Sequence, residues 1–322
     1  MSKDHRRHQH HTPHWDPPYI VKPKAPQHTQ TLILLHDNGS TGHDFAKAFF
    51  KRFPSLHTHY PTLRFVFPTA RRTNGKLLLR REVTTHWFDL HDDRDTSRSE
   101  LADCNEYLKA LLRDEALMLL NDARTSTGNY GYDRLILGGE GVGGTVAMCH
   151  LVSSCQARLA GFVAMDAYLH CYKRFDPGWL GWLGWENNQE EGEESEEESD
   201  GDRLLYNFNV VRDEVGLKRL HREHLRPVPK PGARDLRPCF PQLRTPVLVS
   251  KRRFPEVPES HWEVVLDRCF GMAMEFDQLE GDVEEEAGIA FRFFWSCGIP
   301  FERDPVAFSS RRASVLSFLS KE

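Results

Sequence analysis

The segment that most constrains the fold of this chain is a glycine-rich turn between an apolar strand and a helix. The strand is Leu135–Leu137, the turn reads GGEGVGG from Gly138 to Gly144, and a helix is predicted over residues 145–151. Small residues let a helix begin close to the end of a strand without a steric clash. The segment therefore predicts one strand–turn–helix unit of an α/β protein.

Apolar strands alternate with helices along most of the chain. Further strands are predicted over residues 31–35, 63–67, 160–165, 246–250 and 274–279. The longest predicted helix starts at a capping box formed by Ser97 and Glu100 and continues with apolar residues at helical spacing. This alternation predicts a mainly parallel central sheet with helices on both faces.

An acidic block interrupts the alternation. Ten of the 47 acidic residues lie within residues 186–202, a stretch without Lys, Arg or any apolar residue. Because such a stretch cannot bury apolar surface, we predict a disordered insertion, with docking of a basic protein partner as its alternative role. Without the block the net charge changes from −5 to +5. A slightly basic body with one acidic block does not argue for a nucleic-acid binder, whose basic residues would cluster on one face or along one helix.

The two ends of the chain differ in composition from its middle. Residues 1–26 are rich in His and Pro and are predicted to be a disordered tail, residues 27–300 the folded domain, and residues 301–322 a C-terminal tail. The sequence has neither an apolar run of about 18 residues nor the core of a secretory signal, and its seven cysteines lack the spacing of a metal site. We therefore expect a cytoplasmic protein with no transmembrane segment and no metal.

The glycine-rich turn fits two motifs. In G-x-S-x-G a sharp turn presents a nucleophilic serine, and here Gly141 takes the place of that serine. The same turn satisfies G-x-G-x-x-G through Gly139, Gly141 and Gly144, and Asp166 follows 22 residues later, where a dinucleotide-binding fold places its ribose-binding acid. Dinucleotide binding is therefore one alternative function.

Five fragments, taken in order, resemble one family. They are residues 17–53, FVFPTA at 65–70, WFD at 87–89, residues 134–144 and residues 245–249. Together they resemble the acyl-protein thioesterase-like branch of the phospholipase/carboxylesterase family, especially its fungal members, over most of residues 17–297. The resemblance implies an α/β-hydrolase fold and cleavage of acyl thioesters or carboxylic esters by a Ser-His-Asp triad, without a cofactor.

The residues that match the family's triad have no catalytic side chains of the expected types. The nucleophile position holds Gly141, the Asp position holds Phe254 and the His position holds Glu284. A serine hydroxyl is a poor nucleophile until a base takes its proton, so the loss of all three groups predicts that the triad chemistry is absent.

The family's oxyanion hole maps onto two backbone N–H groups of this chain. The resemblance assigns them to Asn38 and Val142, and it places Asp37 where the family has a Gly. An Asp reaches positive φ less readily than Gly, so the turn that carries Asn38 is expected to change shape.

These substitutions favour a catalytically silent homologue. It would bind an acyl or ester ligand in a residual groove, or a protein partner through the acidic insertion. Two alternatives stay open. One is an active ester or thioester hydrolase of the palmitoyl-protein hydrolase type, with a misaligned triad or a site rebuilt around Glu140 and Glu284. The other is the dinucleotide-binding protein.

Overall fold

The structure is a computed structural model. It describes residues 15–74, 83–88, 94–122, 131–153, 157–169, 200–215, 217–221, 245–251 and 274–278. Within these ranges the strands are β1 (Tyr19–Val21), β2 (Gln30–Leu35), β3 (Leu63–Phe67), β4 (Arg71–Asn74), β5 (Val83–His86), β6 (Leu135–Glu140), β7 (Gly161–Met165), β8 (Val247–Lys251) and β9 (Met274–Gln278). The helices are α1 (Gly42–Arg52), α2 (Leu56–His59), α3 (Arg94–Asp122), α4 (Gly141–Ser153) and α5 (Asp200–Glu214).

Seven of the strands form one sheet in the order β1-β3-β2-β6-β7-β8-β9. β1 runs antiparallel to β3, and every other neighbouring pair in this sheet is parallel. β4 and β5 form a separate antiparallel pair. The predicted mainly parallel sheet is confirmed, and the glycine-rich turn follows β6, the central strand.

Alternate residues of the central strands face two separate cores. Leu32 and Leu34 of β2 belong to the core that contains the aromatic residues of α1. Ile33 and Leu35 belong to the core that contains α3, α4 and α5. Because successive side chains of a strand point to opposite faces, this division places helices on both faces of the sheet, as predicted.

Helix α3 presents one apolar face along its length. Its buried apolar residues recur every three or four positions and are Leu101, Cys104, Leu108, Leu112, Ala116 and Leu119. The helix begins at Arg94, so the predicted capping box is wrong. Ser97 lies inside the helix, four residues before Leu101, and is buried on the same face.

The N-terminal boundary of the domain also needs correction. Residues 15–26 fall in the predicted disordered tail, but β1 pairs with β3 from Tyr19↔Phe67 to Val21↔Phe65. Trp15 stacks on Tyr107 of α3 with ring centroids 4.3 Å apart and on Trp87 at 5.9 Å. The ordered chain therefore includes residue 15, because strand pairing and aromatic stacking hold this segment. Residues 1–14 lie outside the described ranges.

Helix α5 packs against α4 on one face of the sheet. Its Arg212 donates a hydrogen bond of 2.7 Å to the carbonyl oxygen of Ser153, at the last turn of α4, where carbonyl groups lack helical partners. The helix begins at Asp200, so the last three residues of the predicted insertion are helical, while residues 186–199 lie outside the described ranges. None of the helices within those ranges is both long and apolar enough to cross a membrane.

A buried ion pair joins α3 to the sheet. Arg64 of β3 donates to both carboxylate oxygens of Glu115, at 3.0 and 3.3 Å, and the hydroxyl of Thr31 in β2 donates at 3.3 Å. The side chains of Arg64 and Glu115 are only 11% and 6% exposed. A charge this deeply buried is tolerated because its partner and its hydrogen bonds replace water.

We predict that Glu115→Ala lowers the free energy of unfolding by roughly 3 kcal/mol, because it leaves the Arg64 guanidinium buried without its partner. Asp114→Ala is the matched control, since Asp114 is the neighbouring carboxylate but is exposed and pairs with Arg113 at the surface. Its expected effect is below about 0.5 kcal/mol. Chemical denaturation of both variants measures the two values, and equal effects would contradict the assigned role of the buried pair.

A buried histidine lies in the middle of the core beside α3. His150 of α4 is 3% exposed, and its Nδ1–H donates a 2.6 Å hydrogen bond to Asn105 Oδ1. Loss of hydration, with a smaller contribution from the charge of Lys109, lowers the pKa of His150 to about 4. The unfolded chain binds a proton at this residue near pH 6.5, whereas the folded chain does not.

The stability contributed by neutral His150 is therefore complete above pH 6.5 and is lost as the pH falls toward 4. We predict that the advantage of wild type over His150→Gln shrinks by roughly 3 kcal/mol across this window. Denaturation curves at several pH values test this. Asn105→Ala keeps the imidazole but removes its acceptor, so it should lower stability without removing the pH slope. His36 keeps its own contribution in both proteins, so equal slopes in wild type and His150→Gln would contradict the prediction.

Candidate functional site

The turn between β6 and α4 lies at the carboxyl end of the central strand. β6 pairs in parallel with β2 through Leu35↔Gly139 and with β7 through Glu140↔Met165, so three strands end side by side at this edge. Gly141 follows directly with φ +53°, and α4 starts there. A strand that turns sharply into a helix through a left-handed residue is the geometry of a nucleophile elbow, and glycine adopts it without steric strain.

The start of α4 packs closely on the end of β2. A Cβ atom added to Gly143 would overlap the carbonyl oxygen of His36 and lie 2.8 Å from the Cβ of Leu35. Only glycine permits this approach. It brings the first N–H groups of α4 against the loop that follows β2, residues 36–40.

His36 fixes the beginning of this loop. Its imidazole is fully buried, and its Nε2 accepts a 3.0 Å hydrogen bond from the N–H of Ala70. Nδ1 therefore carries the proton and donates to the carbonyl oxygen of Asp37 at 2.6 Å. Burial lowers the pKa of His36, so the ring is neutral near pH 7 and acts as a rigid hydrogen-bonding bridge.

The segment around β5 holds the rest of the loop. Trp87 Nε1–H donates to the carbonyl oxygen of His36 at 2.7 Å, and the Trp87 backbone N–H donates to Asn38 Oδ1 at 3.3 Å. Gly39 N–H donates to the carbonyl oxygen of Thr85 at 2.8 Å, and the Thr85 hydroxyl donates back to the carbonyl oxygen of Ser40. These bonds determine where the N–H of Asn38 points.

The N–H groups of Asn38 and Val142 meet at one point, and the protein's own Asp37 occupies it. Asp37 Oδ1 accepts from Val142 N–H at 2.8 Å and from Asn38 N–H at 2.9 Å. The resemblance to the family assigns these two N–H groups to an oxyanion hole. A carboxylate oxygen therefore lies where an oxyanion hole would receive the oxygen of a substrate.

The carboxylate of Asp37 also lies against Gly141. A Cβ atom at Gly141 would overlap the carboxylate carbon and both carboxylate oxygens. The Asp37 carboxylate thus occupies space that a side chain at Gly141 would need. The left-handed residue of this loop is Gly39, with φ +81°, and Asp37 does not adopt a positive φ.

The other residues singled out in the sequence lie around this turn or outside the described ranges. Phe254 and Glu284 lie outside them. Glu140 ends β6 and is partly buried, and Asp166 follows β7 with a left-handed φ of 48°. Within the described ranges, no three His, Cys, Asp or Glu side chains are grouped as a metal site would require.

The contact between Asp37 and Val142 is the feature of the candidate site that sequence reasoning missed. The two residues are separated by 105 positions, so periodicity and local motifs cannot connect them. One signal was present in the comparison with the family pattern. Asp37 stands where the family has a glycine, and Gly141 stands where the family has a serine. The two substitutions are complementary in volume.

Known relatives match parts of the chain. Acyl-protein thioesterase 1 of Cryptococcus neoformans var. neoformans serotype D is 26% identical over 149 residues, which are 46% of this chain and 58% of the relative. The match therefore spans less than two thirds of the relative's length. Two solved structures are similar over more of the chain. Zea mays acyl-protein thioesterase 2 has a TM-score of 0.49 at 14% identity and covers 87% of this chain and 99% of its own.

The second structure, esterase PE8, has a TM-score of 0.47 at 15% identity, covering 86% of this chain and 98% of its own. The sequence profile of the phospholipase/carboxylesterase family matches residues 17–178, which is just over half of the 322 residues. This chain therefore belongs to the phospholipase/carboxylesterase family and has an α/β-hydrolase fold.

Proposed function

We propose that this family member is catalytically silent and acts by binding, either of an acyl-type ligand or of a protein partner. The observation that supports this most directly is the position of the Asp37 carboxylate, which accepts from both Asn38 and Val142 N–H and lies against Gly141. The elbow keeps its shape while the groups that would perform acyl transfer are missing from it.

Ester hydrolysis at this turn requires a nucleophile and a site for the developing negative charge. Gly141 has no side chain that attacks a carbonyl carbon. The two N–H groups are engaged by a carboxylate, so an incoming oxyanion would meet a like charge instead of free donors. Removal of one oxyanion-hole donor alone slows serine hydrolases by about 10² to 10³-fold. Both donors are engaged here.

The proposal also uses the sequence at two residues that the structure leaves undescribed. Phe254 and Glu284 match the Asp and His positions of the triad in the resemblance to the family. A phenyl ring cannot orient a histidine, and a carboxylate in the His position lacks the neutral imidazole nitrogen that accepts the serine proton. Three independent substitutions favour loss of the chemistry over a single altered residue.

The binding role has two candidate occupants. An acyl chain is the ligand type of the acyl-protein thioesterases that the chain is similar to, and a residual groove at the carboxyl edge of the sheet would receive it. A basic protein partner is the alternative and would bind the acidic residues 186–199, which carry no compensating Lys or Arg.

Dinucleotide binding receives less support from the same geometry. In a dinucleotide-binding fold, the first N–H groups of the helix after the glycine-rich turn contact the pyrophosphate. Val142 provides such an N–H group, but it already donates to the Asp37 carboxylate. A phosphate placed there would be repelled by that charge, so Asp166 remains without a phosphate site beside it.

We predict that the purified protein is not labelled by a fluorophosphonate probe. It should also hydrolyse short-chain p-nitrophenyl esters and acyl thioesters no faster than a boiled control, because it has neither nucleophile nor free oxyanion donors. An active acyl-protein thioesterase serves as the positive control for both assays. Specific labelling, or turnover well above the boiled sample, would overturn the proposal in favour of a rebuilt site.

We further predict that Gly141→Ser lowers the free energy of unfolding by roughly 2–4 kcal/mol, since the new side chain meets both left-handed strain and the Asp37 carboxylate. Gly39→Ser is the matched control, because Gly39 also has positive φ but no atom lies within 4 Å of the position that a Cβ would take there. It should cost only about 1 kcal/mol. In an Asp37→Gly background the penalty of Gly141→Ser should fall to a similar value.

The double variant Asp37→Gly/Gly141→Ser is also the fair test of a misaligned triad. It restores both the serine and the glycine of the family pattern, so a hidden His-Asp pair would then produce turnover. The proposed silence predicts a folded but inactive protein. If this double variant hydrolyses esters at rates typical of enzymes, the triad assignments at Phe254 and Glu284 are wrong.

A further inference from the structure

We propose that Asp37 is the specificity-determining residue of this site. Its carboxylate is a built-in ligand of a preformed carboxylate-binding site made by the N–H groups of Asn38 and Val142. In the wild type this occupant excludes free carboxylates and ester carbonyl oxygens from the two donors. The inference goes beyond catalytic silence, because it states what the site binds and which side chain controls access to it.

The first argument is the match between the donors and their occupant. Both hydrogen bonds end on the same atom, Asp37 Oδ1, at 2.8 and 2.9 Å. These lengths are typical of hydrogen bonds from a backbone N–H to a charged oxygen. Two donors, one from the next residue and one from α4, thus converge on a single carboxylate oxygen.

The second argument is that neither donor depends on the Asp37 side chain for its position. Val142 N–H belongs to the first turn of α4, a 13-residue helix that is buried along most of its length. Asn38 is held through its own side chain by the N–H of Trp87. The backbone carbonyl of Asp37, and not its carboxylate, accepts from His36 Nδ1.

Removing the carboxylate therefore leaves two N–H groups that still point at one location. One of them lies at the amino end of a helix, where the backbone dipole favours an anion. Asp37 itself is exposed, so the location is accessible from solvent once the side chain is shortened. Its φ is not positive, since Asp166 is the non-glycine residue with positive φ in the described ranges. Alanine consequently fits the Asp37 backbone.

The third argument concerns charge in the wild type. Asp37 Oδ2 has no hydrogen-bond partner among the described residues, so the carboxylate keeps a free acceptor toward solvent. A second carboxylate near this oxygen would experience repulsion and would find no donor available. The occupied site thus selects against the acid product of ester hydrolysis as well as against the ester carbonyl.

The experiment is chemical rescue by acetate, followed on the amide resonance of Val142 in protein labelled with ¹⁵N-valine. In Asp37→Ala, sodium acetate should shift this resonance in a saturable manner, with an affinity at least about tenfold above any response of the wild type. Sodium chloride at equal ionic strength controls for salt. Asp37→Asn should behave like the wild type, because its amide oxygen still accepts from both N–H groups.

Asp44→Asn is the charge control, because it removes one exposed carboxylate at the start of α1 and leaves Asp37 unchanged. It should not gain acetate binding. Unchanged resonances of the other valines verify that Asp37→Ala is folded. A folded Asp37→Ala without a saturable acetate response would overturn the proposal, and so would a wild type that binds acetate equally well.

This test is separate from that of the proposed function. Turnover by the wild-type protein would contradict catalytic silence, yet it would leave the acetate response of Asp37→Ala as a valid measurement. Conversely, an inactive wild-type protein whose Asp37→Ala variant does not bind acetate would support catalytic silence. It would contradict the proposal that Asp37 occupies a carboxylate-binding site. The two failures therefore give different combinations of results.

Discussion

The two hydrogen bonds that end on Asp37 Oδ1 join the halves of the site. One comes from the loop after β2 and the other from the start of α4. The bond from Val142 satisfies an N–H group for which the helix offers no internal acceptor, and the negative charge complements the positive end of the helix. Since the carboxylate lies against the α-carbon of Gly141, the arrangement requires a residue without a side chain at the elbow.

Aromatic rings packed beside the loop support these hydrogen bonds. His36 bridges Ala70 and the carbonyl of Asp37, and Trp87 donates to both His36 and Asn38. Trp15 then stacks on Trp87 from the N-terminal segment. The loop is thus attached to the core through side chains other than the carboxylate, which explains how a solvent-exposed residue such as Asp37 is held in a defined place.

Sequence patterns predicted the parts of the fold that depend on local periodicity. Apolar runs such as Leu63–Phe67 became strands, and the glycine-rich segment became the turn at the central strand. β1 was missed because its three residues are too few to show alternation, and β4 because Arg71–Asn74 is wholly polar. These strands are stabilised by pairing with distant partners. The same reason hid the Asp37–Val142 contact, which joins residues 105 positions apart.

The steric overlap between Asp37 and any side chain at Gly141 limits which residues the two positions can hold together. In the present geometry the Asp37 carboxylate fits only beside a glycine at position 141. Under the proposed loss of the nucleophile, that loss would therefore have come before Asp37 or together with it. With Asp37 in this position, a change from glycine to serine at position 141 is sterically opposed. The two positions are therefore coupled, because the side chain present in one loop decides which residues the other loop accepts.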